Sequence, residues 1–177
     1  MTIAKTFALL SLAVPLAALA VTPAIAADPP STAAAPATPA TGSFVATTAA
    51  SNLFEIESSK LALAKSGNDK VKAFANQMVA DHTRAAARFK QAVTEAGLTP
   101  PAEKLDTRHQ AILDDLTKRA GTGFDQAYLK AQHDAHVEAV GLFEAYARRG
   151  DNARMKQFAA EMLPTLKQHL QHVASMQ

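Results

Sequence analysis

The sequence predicts an all-α fold, a four-helix bundle with a short crossover helix between two helical hairpins. Four long segments repeat apolar residues at helical spacing. Gly67 and Gly150 each stand between two such segments, as turns between antiparallel neighbours do. A shorter helical segment then separates the two pairs.

Residues 1–26 stand outside the fold. Lys5 is an early positive charge, residues 7–21 form an apolar run broken only by Ser11 and Pro15, and Ala24-Ile25-Ala26 supplies a small-x-small end. These features describe a secretory signal peptide cleaved after Ala26. Pro15, Thr22 and Pro23 interrupt the run before the ~20 residues that a bilayer span needs, so no stable membrane span is expected after cleavage. Residues 27–42 are rich in Pro, Ala and Thr and read as a flexible spacer. Residues 43–177 make the helical bundle domain, long enough for one core.

Ser43 is the expected cap of the first helix, whose stripe is Val45, Ala49, Leu53, Ile56, Leu63 and Ala64, ending at Ser66-Gly67-Asn68. Asn68 or Asp69 caps the second, with Val71, Phe74, Ala75, Met78, His82, Ala85, Phe89, Ala92 and Val93 inward and a stop at Gly97. The third covers about residues 102–119 and turns Leu105, His109, Ile112 and Leu116 to one side. Its ~18 residues rise about 27 Å, enough to return the chain to its starting end in the ferritin-like manner. Gly121-Thr122-Gly123 closes it. The fourth helix, about residues 124–149, buries Phe124, Tyr128, Leu129, Ala135, His136, Ala139, Val140, Phe143 and Tyr146. Asp151 or Asn152 caps the fifth, with Met155, Phe158, Met162, Leu166, His169 and Val173 inward. Pro164 is expected to kink it or mark a restart, because proline lacks the donor that a helix interior uses.

Composition removes several classes of function. Of the 18 basic residues only Lys5 lies in the leader, which leaves 17 against 16 acidic ones, scattered along the chain. That balance, with no tryptophan, argues against nucleic acid as a partner. The chain has no cysteine, hence no disulfide, no thiolate ligand and no lipidated N-terminus. Neither a glycine-rich phosphate loop nor a Gly-x-Ser-x-Gly elbow is present.

The remaining chemistry is histidine. His82, His136 and His169 occupy apolar stripes on three helices. In the crossover arrangement the second and fourth helices run parallel, and His82 and His136 fall at nearly the same depth along them. Glu57 is read as lying on the apolar side of the first helix, leaning toward His82. Glu57, His82, His136 and His169 are therefore the candidate ligands of one divalent ion of the zinc, iron, manganese or copper group. Glu55 is a secondary candidate that this helical phase points outward. The pairs His133/His136 and His169/His172 form another candidate set, since residues three apart share a helix face. A di-iron site is disfavoured, because Val79 and Leu166 stand where Glu-x-x-His pairs need glutamate. Asp81 adjoins His82 but points about 100° away from it, toward solvent or Arg84 and Arg88.

Phe54-Glu55-Ile56-Glu57, Met78-Val79-Ala80-Asp81-His82-Thr83, Phe124-Asp125-Gln126-Ala127-Tyr128, His136 and Leu163-Pro164-Thr165-Leu166-Lys167-Gln168-His169 together resemble the exported bacterial domain-of-unknown-function 4142 family. The resemblance implies a ferritin-like bundle in the bacterial cell envelope or periplasm. It implies no reaction. Base rates for buried histidines favour a non-enzymatic envelope protein with a binding or stress-related role, its imidazoles held by hydrogen bonds. The alternative is a metal-binding or metal-dependent redox bundle. A second copy of the chain and another envelope protein are the candidate partners.

Overall fold

The computed structural model describes residues 40–177, so the expected leader and nearly all of the spacer lie outside the described residues. Five helices follow: α1 Thr41–Lys65, α2 Asp69–Glu95, α3 Thr107–Lys118, α4 Gly121–Arg149 and α5 Ala153–Ala174. No strand occurs among the described residues.

Helices α1 and α2 pack as one hairpin, α4 and α5 as the other, and α3 lies against α1 and α4. Phe44 near the start of α1 stacks on Tyr146 near the end of α4, with ring centroids 3.9 Å apart. At the opposite end Lys65 lies 5.7 Å from the centre of the Phe124 ring. Thus α1 and α4 are antiparallel, and α2 and α4 are parallel. This is the ferritin-like bundle expected.

The boundaries follow local chemistry. Asn68, Asp106 and Asn152 each cap a helix by accepting a backbone N–H, from Lys70, His109 and Met155 respectively. Helix α2 ends in a Schellman turn, with Leu98 N–H donating to the Val93 carbonyl and Gly97 N–H to the Thr94 carbonyl. Gly97 has φ +72°, which suits a residue without Cβ.

Four expectations are corrected. Helix α1 begins at Thr41 after Ala40, which offers no side-chain cap, so Ser43 lies inside the helix. Helix α3 has only 12 residues, because Asp106 fixes its start; the non-helical stretch before it, with Pro100 and Pro101, makes up the rest of the connection. Gly121-Thr122-Gly123 opens α4 instead of closing α3. Pro164 lies inside a continuous α5, so the helix does not restart there. Pro164 and Ala160 are both exposed, so water can reach the carbonyl that Pro164 leaves without a donor.

Two apolar clusters fill the bundle. One joins Phe44, Phe89, Phe143, Tyr146, Met155 and Phe158, and the other joins Val71, Phe74, Met78, Leu116, Phe124 and Tyr128. Between them lies a buried polar layer of Glu55, Ser58, His82, Gln132, His136 and His169.

Candidate functional site

His82 on α2, His136 on α4 and His169 on α5 converge in that layer. Their ring centroids are 5.5, 5.5 and 5.4 Å apart, a nearly equilateral triangle. All three are buried, at 6, 1 and 2% exposure. Each offers one ring nitrogen, and the three nitrogens lie within 4.8 Å of one another.

Each imidazole is held from behind. The Asn52 amide donates to the His82 backbone carbonyl at 3.1 Å, which turns its Oδ1 toward His82 Nδ1 at 3.0 Å. An amide oxygen only accepts, so His82 carries its proton on Nδ1. His136 Nδ1 donates to the Gln132 carbonyl at 2.8 Å, and His169 Nε2 donates to Asp81 Oδ2 at 2.9 Å. The remaining nitrogens, His82 Nε2, His136 Nε2 and His169 Nδ1, are buried and have no hydrogen-bonding partner among the described residues. The acceptors thus fix the tautomers and leave three lone pairs on the nitrogens away from their hydrogen bonds.

Burial sets the charge state. It pushes His82 well below the ordinary histidine range, helped by repulsion from His136 and His169. Burial also takes His136 down to about 4, against the opposing hydrogen bond to Gln132. His169 is lowered by burial as well, with Asp81 pulling the other way. All three rings are therefore neutral at neutral pH, the state in which imidazole is a ligand.

The acidic residue of the layer is Glu55, not Glu57. Glu55 is 2% exposed, and its Oε1 lies 3.7 Å from His136 Nδ1. Burial raises its carboxyl well above the usual range, with a hydrogen bond from Gln132 opposing. Glu57 has 38% of its side chain exposed and pairs with Lys60 at 2.9 Å. The expected α1 phase was wrong because this helix buries Thr48, Glu55, Ser58 and Ser59 beside its few large apolar residues. A stripe built of polar residues is not recognised by hydropathy.

The outer histidines do not join the triangle. His133 is half-buried and faces Asp134 at 3.4 Å. His172 is exposed, bonds Gln77 at 3.2 Å and meets the Phe74 ring edge-on. Buried His109 bonds Asp106 at 2.8 Å and packs on Phe54, as expected for the crossover helix. Sequence reasoning missed Asn52, Asp81 and Gln132 as supporting groups. Asn52 was accessible in principle, standing three residues before Glu55 and so on its helix face.

A pocket of about 250 Å³ reaches the triangle from one side. Phe89, Leu142, Phe143, Phe158, Met162 and Leu166 supply its apolar walls, and Thr48 and Glu55 add polar atoms.

The sequence matches, over residues 26–176, the family described as domain of unknown function (DUF4142). Among curated proteins no sequence matches. The fold is similar to the crystal structure of a protein from Streptomyces coelicolor, described as secreted and of the DUF305 type. The TM-score is 0.63 at 13% identity, covering 75% of this chain and 87% of that one. No helix among the described residues is long and apolar enough to cross a membrane.

Proposed function

We propose that this chain, which belongs to the DUF4142 family, is an exported envelope protein that holds one divalent transition-metal ion between its two helical hairpins. One observation carries the reading: three buried ring nitrogens lack partners among the described residues while the opposite nitrogen of each ring is hydrogen-bonded. Unpaired buried polar atoms are costly, and three within 4.8 Å are hard to explain by packing alone. The supporting acceptors match the outer shell of histidine metal sites, where the second ring nitrogen is tied to a carboxylate or carbonyl.

The residues fit such an ion chemically. Three neutral imidazole nitrogens within 4.8 Å of one another would hold the ion after a small inward movement of the rings. Three imidazoles without thiolate suit zinc, copper or nickel better than magnesium or calcium. Bound there, the ion would act as a Lewis acid or a structural clamp. His82, His136 and His169 would hold it, while Asn52, Gln132 and Asp81 orient the rings. Glu55 approaches the protonated Nδ1 of His136 and so belongs to the support.

Export rests on the leader-like residues 1–26, the family match beginning at residue 26, and the secreted description of the Streptomyces coelicolor neighbour. Native protein is then expected to begin near Ala27, as mass spectrometry would read. For the ion, calorimetric titration of the mature chain with zinc is expected to give one equivalent bound and a raised Tm. His82→Ala should abolish both. Retention of stoichiometric binding in His82→Ala, or no binding by wild type, would rule the site out.

A further inference from the structure

We propose that the open side of the histidine triangle takes a short aliphatic carboxylate, its head on the bound ion and its tail in the apolar pocket. The inference rests on the metal reading above and adds the class of ligand that completes the site.

Three protein ligands leave a tetrahedral ion one position short, the arrangement that allows ligand exchange. Glu55 is not among the groups that converge with the three ring nitrogens, and its Oε1 lies on the Nδ1 side of His136 at 3.7 Å. All three histidines line the 250 Å³ pocket, which places the vacant side of the triangle toward that space.

Charge selects the head group. Three neutral imidazoles leave both charges of a divalent ion uncompensated. Of the other acidic and basic groups around the pocket, Arg108, Glu138, Asp106 and Asp81 already have partners, and burial favours the neutral form of Glu55. Arg108 forms a two-pronged bond to Glu138 at 2.5 Å, and Asp106 pairs with His109 at 2.8 Å. Asp81 is held by His169 and Arg84. A monoanionic head is therefore favoured at the ion. Thr48 supplies a second polar contact: its hydroxyl is buried, lines the same pocket and has no partner among the described residues. It can donate to the carboxylate oxygen that does not bind the ion.

The walls select the tail. Phe89, Phe143, Phe158, Leu142 and Leu166 present only carbon to the space. Its volume of about 250 Å³ lies below the ~300–1,000 Å³ usual for drug-sized ligands, so the space suits a smaller molecule. A chain of about six carbons suits that volume.

Cobalt(II) tests the inference, because its visible absorption reports on its ligands. The mature chain loaded with cobalt is titrated with acetate, butyrate and hexanoate. Each methylene buried strengthens binding about fourfold, so hexanoate is expected to bind on the order of 100-fold more tightly than acetate. Thr48→Val keeps the side-chain shape and should weaken hexanoate several-fold without altering the cobalt spectrum. Ala139→Phe, at a pocket-lining position, should reduce hexanoate to the affinity of acetate. A cobalt spectrum with no dependence on chain length would overturn this proposal and leave the metal site standing. Failure to bind cobalt would overturn both.

Discussion

Asp81 orients His169 on the opposite hairpin and not His82, its neighbour in the chain, with Nε2 and Oδ2 2.9 Å apart. The carboxylate points away from the His82 ring, as helical geometry requires, and that direction leads to α5. A residue beside one histidine in sequence thus supports another in space.

On the proposed metal site, removing this support is expected to weaken ion binding without abolishing it. Asp81→Ala and Asn52→Ala each leave an imidazole of the triangle free to rotate, and at a histidine metal site the loss of such an outer partner typically costs 10–100-fold in affinity. Zinc titration of each variant reads the effect. Asn52→Ala should also destabilise the metal-free protein by about 1–3 kcal/mol, since it strips His82 Nδ1 of its acceptor. Unchanged zinc affinity in both variants would contradict the orienting role.

The metal-free protein should lose stability as pH falls from about 6.5 toward 4. His82, His136 and His169 all have folded-state values below the unfolded histidine value, so the unfolded chain binds more protons in that window. His136 alone, taken down to about 4, contributes a loss of about 3 kcal/mol across it. Glu55 acts with the opposite sign. Its raised value favours the fold at low pH, and that contribution fades as pH rises through the folded-state value. Denaturant unfolding with chelator, followed from pH 7 to pH 4, measures the net slope. His136→Gln should flatten it.

Gly150 closes the turn between α4 and α5 against an aromatic ring. A Cβ there would lie 2.5 Å from the Tyr146 ring, which is itself buried and stacked on Phe44. Gly150→Ala is therefore expected to cost about 1–3 kcal/mol through displaced packing. Gly67 has open space around its Cβ position and no positive φ, so Gly67→Ala should be neutral or gain about 0.4–1 kcal/mol. Thermal unfolding of the two variants checks the contrast.

Pro164 offers a stabilising substitution. It lies exposed inside α5 and leaves the carbonyl of Ala160 without its helical donor. Pro164→Ala should raise stability by about 1–3 kcal/mol, read as a higher urea midpoint with an unchanged m value.

The histidine triangle was legible in the sequence because α2, α4 and α5 carry dense apolar stripes that fix which face points inward. With the crossover placing α2 parallel to α4, the depths of His82 and His136 followed. Helix α1 resisted the same reasoning. Its inward face mixes Phe44, Phe54 and Ala62 with Thr48, Glu55, Ser58 and Ser59, so the acid that enters the core could not be told from the one that meets Lys60. Nor could the Asp81–His169 bond be read, because it depends on the rotation of two helices from different hairpins. The length of α3 was overestimated because Asp106, its cap, resembles any other charged residue on a helical surface.

The polar layer also determines how the helices are allowed to slide. A shift of one hairpin by a single turn, about 5.4 Å, would carry ring nitrogens and a carboxyl into the territory of Phe89 and Phe158 on one side or Phe74 and Tyr128 on the other. Apolar residues above and below would tolerate such slippage, since one phenyl ring replaces another at little cost. The stranded polar groups would not. Glu55, Gln132 and the histidines thus act as the notch that sets the register of the bundle, whether or not an ion is present.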